Sequence, residues 1–185
     1  MATLLDHPDR LKQLVRLEYE RGQASADLGL RSFRAFCQLS WPHLLPGVPL
    51  VWNWHHDALC EHLQAILTGD IHRIVINIAP GFTKSTIVSV MFPTWCWLHH
   101  PQQRWLCAAN NLSLALRDNM DSRRLIESEW YQQHYGHLYQ LSGDQNAKMF
   151  YSNDHTGYRI AAGVSGWDNG KKGTKYFLKD HHHGK

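Results

Sequence analysis

Six consecutive residues, Arg73-Ile74-Val75-Ile76-Asn77-Ile78, do most to limit what this chain can become. β-Branched side chains are stiff at χ1 and favour extended backbone over helix. Gly69 precedes the run and Pro80-Gly81 follows it, so it is short and bounded by turn signals. That pattern predicts a buried strand of the kind found in a parallel sheet. The chain then passes through Pro80-Gly81-Phe82-Thr83-Lys84-Ser85-Thr86, and Ile87 to Leu98 reads as an almost wholly apolar helix that Pro93 should kink or interrupt.

Strand, loop and helix in this order form the context of a phosphate-binding loop. Such a loop needs inward-facing backbone N–H groups, a lysine for the β- and γ-phosphates and a Ser/Thr hydroxyl for Mg²⁺. Lys84-Ser85 stands in the right place. Measured against G-x-x-x-x-G-K-[ST], however, the first glycine position is Ile78 and the second is Thr83; only Gly81, inside the loop, is glycine. The pattern and its flanks leave a nucleotide site and a plain strand-to-helix turn both open.

The remaining periodicities alternate helices with strands. Helices are expected over Asp9–Arg21, stopped by Gly22; over about Arg31–Leu39, ended by Pro42; over Trp54–Leu67, stopped by Gly69; and over Leu112–Ile126, capped by Asn110 or Asn111. Arg104–Ala109 reads as a strand, and Met149–Ser152 and Tyr158–Ala161 as a hairpin around Asn153–Gly157. A glycine-rich stretch, Gly163 to Gly173, leads to a last apolar run, Tyr176-Phe177-Leu178. The alternation argues an α/β fold with a largely parallel sheet flanked by helices.

Composition narrows the function classes. A length of 185 residues suits about one domain, and 43% hydrophobic with 19% charged content reads as globular. The net charge of +3 is local: residues 171–185 hold five lysines against Asp180 alone, and the rest of the chain is close to neutral. Charge therefore gives no argument for a basic nucleic-acid-binding domain. No apolar stretch reaches the ~20 residues of a membrane span, and no export signal opens the chain. The four cysteines, Cys37, Cys60, Cys96 and Cys107, are far apart and read as buried, reduced thiols. The eight tryptophans read as core packing rather than base-stacking platforms. The cluster His55, His56, Asp57, Cys60, Glu61 and His62 is a poor zinc site, because only two plausible ligands share one helix face. His181-His182-His183 reads as an exposed tract without a role.

Several segments together, in order, are similar to one family. Pro49-Leu50-Val51-Trp52-Asn53-Trp54-His55-His56-Asp57, Cys60-Glu61-His62-Leu63, Ile74 to Gly81, Lys84-Ser85-Thr86 and Phe92-Pro93-Thr94-Trp95 begin the pattern. Arg117-Asp118, Arg123-Arg124-Leu125-Ile126, Trp130-Tyr131-Gln132, Asp144 to Lys148 and Gly157-Tyr158-Arg159-Ile160 continue it. Over residues 33–180 the chain resembles the N-terminal ATPase domain of tailed-phage terminase large subunits, whose P-loops tolerate missing glycines.

The resemblance implies a P-loop NTPase-like fold and an ATP-driven motor of viral DNA packaging. Lys84 would contact the β/γ-phosphates, with Pro80, Gly81, Phe82, Thr83, Ser85 and Thr86 completing the nucleotide loop and Trp54 and His55 near the adenine. Mg²⁺ would be held through Ser85 and Asp180, the latter also the expected catalytic acid. Arg117, Arg123 and Arg124 are candidates for a phosphate or a neighbouring subunit, against the simpler expectation of a solvated helix face. The implied partners are double-stranded viral DNA, the portal protein and the small terminase subunit, with a homo-oligomeric ring, no membrane, and the cytoplasm of the bacterial host as the location.

Two departures qualify the resemblance. The family's metal-holding strand ends in paired acids, but here Lys179 stands at the first of them and only Asp180 remains. Impaired hydrolysis is the expectation, because positioned charge carries this chemistry. The chain is also short for the family, so the expected organisation is a helical extension over residues 1–30 and a truncated ATPase domain over residues 31–185, without the nuclease domain. The alternative is a non-enzymatic prophage remnant or a binding module for portal or small-terminase proteins. A small nucleotide kinase fits the length but not the loop.

Overall fold

A computed structural model describes residues 8–142, 148–163 and 175–178. The elements run α1 (Pro8–Arg31), α2 (Phe33–Leu44), α3 (Trp54–Thr68), a π-helical turn (Thr86–Met91), α4 (Phe92–His99), β1 (Arg104–Ala109), α5 (Leu112–Ile126), α6 (Glu129–Tyr135), β2 (Phe150–Ser152), β3 (Tyr158–Gly163) and β4 (Lys175–Leu178). Among the described residues the sheet has four strands in the order β2-β3-β1-β4. β1 pairs in parallel with both β3 and β4, in a register that sets Cys107 opposite Ala161 and Phe177, and β2 closes an antiparallel hairpin on β3. The architecture is thus mixed α/β with a mostly parallel sheet, as the alternation of patterns requires. Among the described residues no helix is long and apolar enough to cross a membrane.

Local chemistry explains most boundaries. Ser32 accepts a hydrogen bond from Ala35 N–H and starts α2; Asn111 accepts one from Ser113 N–H and starts α5. Gly69, at φ 89°, ends α3 in the left-handed conformation that a helix C-terminus favours. The Asn153 side chain organises the β2–β3 turn by accepting from the N–H groups of His155 and Gly157.

Three expected boundaries are corrected. Gly22 does not stop α1, which runs on to Arg31; one glycine weakens a helix without ending it unless capping geometry follows. Pro42 does not end α2 but lies inside it, near enough to the C-terminus that only a single hydrogen bond is lost before the helix stops at Leu44. The segment 73–78 forms no strand and joins no sheet among the described residues. Ile74, Ile76 and Ile78 are half-buried whereas Val75 is 95% exposed, so one face only is covered. A run of apolar side chains specifies extended backbone, but burial of both faces needs neighbours on both sides, which residue type alone does not supply.

The core is aromatic. Phe33, Phe36, Phe92, Trp95, Trp97, Trp105, Tyr131, Tyr135 and Tyr151 are fully buried, each removing roughly 150–250 Å² from water. Phe33 meets Phe92 and Trp95 at 5.4 and 5.2 Å, joining α2 to α4, and Trp97 meets Tyr139 and Tyr151 edge-on at 5.6 and 5.7 Å. Trp41, Trp95, Trp97 and Trp105 therefore pack as expected; Trp54 does not, being 75% exposed, and Trp167 lies outside the described residues. The end of α1 belongs to this core: Trp95 Nε1 donates to Gly29 O at 2.9 Å, and Tyr135 Oη to Ala26 O at 3.0 Å. All four cysteines are buried and free, and burial pushes the thiols of Cys37 and Cys107 up.

A charged group sits within the core as well. The Arg159 side chain, on β3, is 1% exposed. It donates to Asn119 Oδ1 at 2.6 Å, to Ser122 Oγ at 3.0 Å and to the carbonyl of Ser89, which ties the sheet to α5 and to the π-helical turn.

Candidate functional site

The segment 73–78 feeds a turn before the helix that starts at Lys84. Two loop residues take positive φ, Gly81 at 87° and Thr83 at 55°. Gly81 does so at no steric cost, whereas Thr83 is a β-branched residue in a region that disfavours a Cβ. Left-handed residues in a turn can orient successive backbone N–H groups into a concave anion-binding arrangement. Pro80, Gly81 and Phe82 are exposed and Thr83, Lys84, Ser85 and Thr86 are half-buried, so the lysine and both hydroxyls lie at the rim rather than in the core. Lys84 Nζ reaches back across the loop towards Ile78 O at 3.5 Å.

The N-terminus of α3 abuts this loop. Asn53 caps α3 and forms a capping box with His56: Asn53 N–H donates to His56 Nδ1 at 3.0 Å. Because a backbone N–H can only donate, Nδ1 must be the acceptor and Nε2 carries the proton. His56 Nε2 then donates to Thr83 Oγ1 at 2.8 Å, and Thr83 Oγ1 donates to Phe82 O, also at 2.8 Å. Burial, followed by the adjacent His55, holds the His56 pKa below the ordinary imidazole value, in accord with a neutral ring.

His55 is buried and packs edge-on against Phe82 at 5.2 Å and against Trp54 at 6.1 Å. Its Nε2 has no hydrogen-bond partner among the described residues. The half-exposed Phe82 and the exposed Trp54 flank the buried His55 ring. His55 and His56 are thus in contact with the loop through Phe82 and Thr83, and Trp54 packs against His55.

Other expected site residues stand apart. Arg117 pairs with the neighbouring Asp118, Arg123 with Glu127 at 2.8 Å and Arg124 with Asp121 at 3.0 Å, all along α5. Each arginine thus has an acid of its own helix or cap; Arg117 and Arg124 are exposed, Arg123 is half-buried, and Arg124 also donates to Leu44 O at 3.4 Å. Among the described residues no group of three or more His, Cys, Asp or Glu side chains is placed to hold a metal ion. Asp180, Lys179, the glycine-rich stretch and the lysine-rich end lie outside the described residues, apart from β4 itself. Of the two expected Mg²⁺ groups, Ser85 stands at the start of the loop's helix, where a hydroxyl can meet a metal held by phosphates.

The part played by His56 was readable only in pieces. Asn53-x-x-His56 has the spacing of a capping box, and Thr83 is a departure from glycine, but nothing local connects the two. Neither a protein-family model nor any curated protein or solved structure matches this chain.

Proposed function

We propose that this chain is the ATP-binding part of a DNA-packaging motor of the terminase large-subunit type, with a P-loop NTPase-like fold and impaired hydrolysis. One observation carries the reading: a lysine and two hydroxyl residues follow a loop with two left-handed residues, and that loop lies against the aromatic start of α3. Lys84 binds the β- and γ-phosphates, Ser85 meets the Mg²⁺ that accompanies the nucleotide, and the loop N–H groups from Gly81 onwards surround the phosphates. Trp54 and His55 meet the base, where Trp54 offers a stacking face.

When bound, Mg²⁺ neutralises charge on the phosphates; the chain's own contribution is to orient them. Asp180 is the remaining acid for the metal shell and for catalysis. With Lys179 where the first of the paired acids would stand, turnover is low. Viral double-stranded DNA, the portal protein and the small terminase subunit are the proposed partners, in a homo-oligomeric ring in the cytoplasm of the bacterial host.

Calorimetric titration with ATP·Mg²⁺ tests this. The wild type binds and Lys84→Ala does not; equal behaviour of the two removes the nucleotide site. Brisk Mg²⁺-dependent hydrolysis lost in Asp180→Asn would instead make Asp180 a working metal ligand and the site a competent one.

A second reading is favoured by a different observation. Val51, Trp54 and Val75 are 77%, 75% and 95% exposed, an unusual showing for large apolar side chains. A non-enzymatic module that docks portal or small-terminase proteins would use them. Binding to such a partner that is unchanged in Lys84→Ala supports this reading.

A further inference from the structure

The geometry points to His56 as the positioning residue that lets a threonine replace the glycine in front of the phosphate-binding lysine. This rests on the nucleotide-site reading above and assigns a role that the loop pattern does not contain.

Thr83 occupies the position that G-x-x-x-x-G-K-[ST] reserves for glycine, and its φ of 55° is the left-handed conformation that glycine supplies freely. A β-branched residue there is a backbone outlier, retained only where its surroundings over-determine it. The surroundings in this case are two hydrogen bonds on one oxygen. Thr83 Oγ1 accepts from His56 Nε2 at 2.8 Å and donates to Phe82 O at 2.8 Å. His56 is in turn fixed from behind by Asn53 N–H, which donates to Nδ1 at 3.0 Å, and from the side by Trp52, whose ring lies 4.9 Å away. The Trp52 indole donates to Asp57 Oδ1 at 2.8 Å, so that ring is itself held.

The chain of bonds therefore runs from the cap of α3, through the imidazole, to the one loop residue that strains the backbone. Lys84 follows directly. If Thr83 relaxed towards negative φ, the peptide between Thr83 and Lys84 would rotate and carry the lysine's backbone N–H out of the loop. His56 does not touch the nucleotide in this account. It acts through Thr83.

The test compares substitutions at both ends of the bond. Thr83→Gly removes the strain and the need for a clamp, so in that background the loss of His56 no longer lowers ATP affinity. Thr83→Val keeps the β-branch, loses the hydroxyl and leaves the α3 cap intact; it loses about tenfold in affinity. His56→Ala loses a similar factor, and adding Thr83→Gly to it restores binding. A double variant as weak as His56→Ala, or a Thr83→Val that binds as well as Thr83→Gly, overturns the assignment.

Thermal denaturation without nucleotide separates this from failure of the ATP site. His56→Ala lowers Tm more in the Thr83 protein than in the Thr83→Gly background if the clamp exists, whether or not Lys84→Ala alters ATP binding. Equal losses in both backgrounds overturn the clamp even where ATP binds.

Discussion

Arg159 donates to the carbonyl oxygen of Ser89, the group whose i+4 position is Pro93 and so offers no N–H. A proline inside a helix leaves one carbonyl without its α-helical donor, and here the turn before it widens into a π-helix over Thr86–Met91. The guanidinium from β3 makes good that loss. It simultaneously bonds Asn119 and Ser122 of α5, so the helix leaving the candidate nucleotide loop is coupled to the sheet through a single buried side chain. The effect expected of Pro93 thus takes the form of an interruption, with a π-helical turn before α4.

Removing that guanidinium strands several polar groups. Arg159→Met keeps much of the volume but leaves Ser89 O, Asn119 Oδ1 and the nearby buried Asp118 without it. A loss of about 3 kcal/mol or more is expected, from desolvated acceptors at ~1–3 kcal/mol each. Urea denaturation checks it; an unchanged midpoint would show that the network contributes nothing net.

Two glycines of α1 should respond oppositely to alanine. A Cβ on Gly22 would meet only His134 Cε1 at 3.6 Å, an ordinary contact. Gly22→Ala should therefore stabilise by about 0.5–1 kcal/mol through helix propensity. A Cβ on Gly29 would stand 2.6 Å from the Tyr135 hydroxyl oxygen, which is already bonded to Ala26 O. Gly29→Ala should destabilise by about 1–3 kcal/mol despite the same propensity gain. Opposite shifts in Tm for the pair decide the matter.

Acidification should destabilise the fold. Burial holds the pKa values of His43, His56, His99 and His134 below the ordinary imidazole value, aided for the first three by a neighbouring histidine. In the interval between the depressed folded values and the unfolded value of about 6.5, the unfolded chain binds more protons. Stability is then complete above about pH 6.5 and falls as pH drops through the folded pKa values. A Tm series from pH 7.5 to 5.5 should decline, and His56→Gln should flatten part of the slope.

Nucleotide should register as added stability. With ATP·Mg²⁺ at a hundred times Kd, mass action adds about 2.7 kcal/mol to the folded state. The wild type should melt at a higher temperature under those conditions, whereas Lys84→Ala should not shift. Thermal denaturation with and without ATP reads this directly.

The regular elements were largely legible in advance. β1 covers Arg104–Ala109 as its apolar run requires, α5 begins at the asparagine cap Asn111, and α3 stops at Gly69 because a left-handed glycine is a local matter. Caps, turns and hydrophobic periods act within a few residues, and those are what a linear reading can weigh. The errors fell where the deciding partner is remote. α1 continues past Gly22 to reach Tyr135 and Trp95, more than sixty residues away along the chain.

The candidate site divides in the same way. Pro80 to Thr86, with Lys84 and Ser85 in order after a β-branched run, is a property of the residues and their spacing. The chain's order of residue types was enough to specify the loop, the helix after it and a mostly parallel α/β arrangement. The tertiary structure decided that residues 73–78 cover one face only, that Trp54 is exposed, and that a histidine twenty-seven positions upstream holds Thr83 in a glycine-like conformation. The physical reason is range. Backbone preference and capping are set by neighbours in sequence, whereas burial and the relief of a strained φ depend on which distant side chain the fold delivers to that spot.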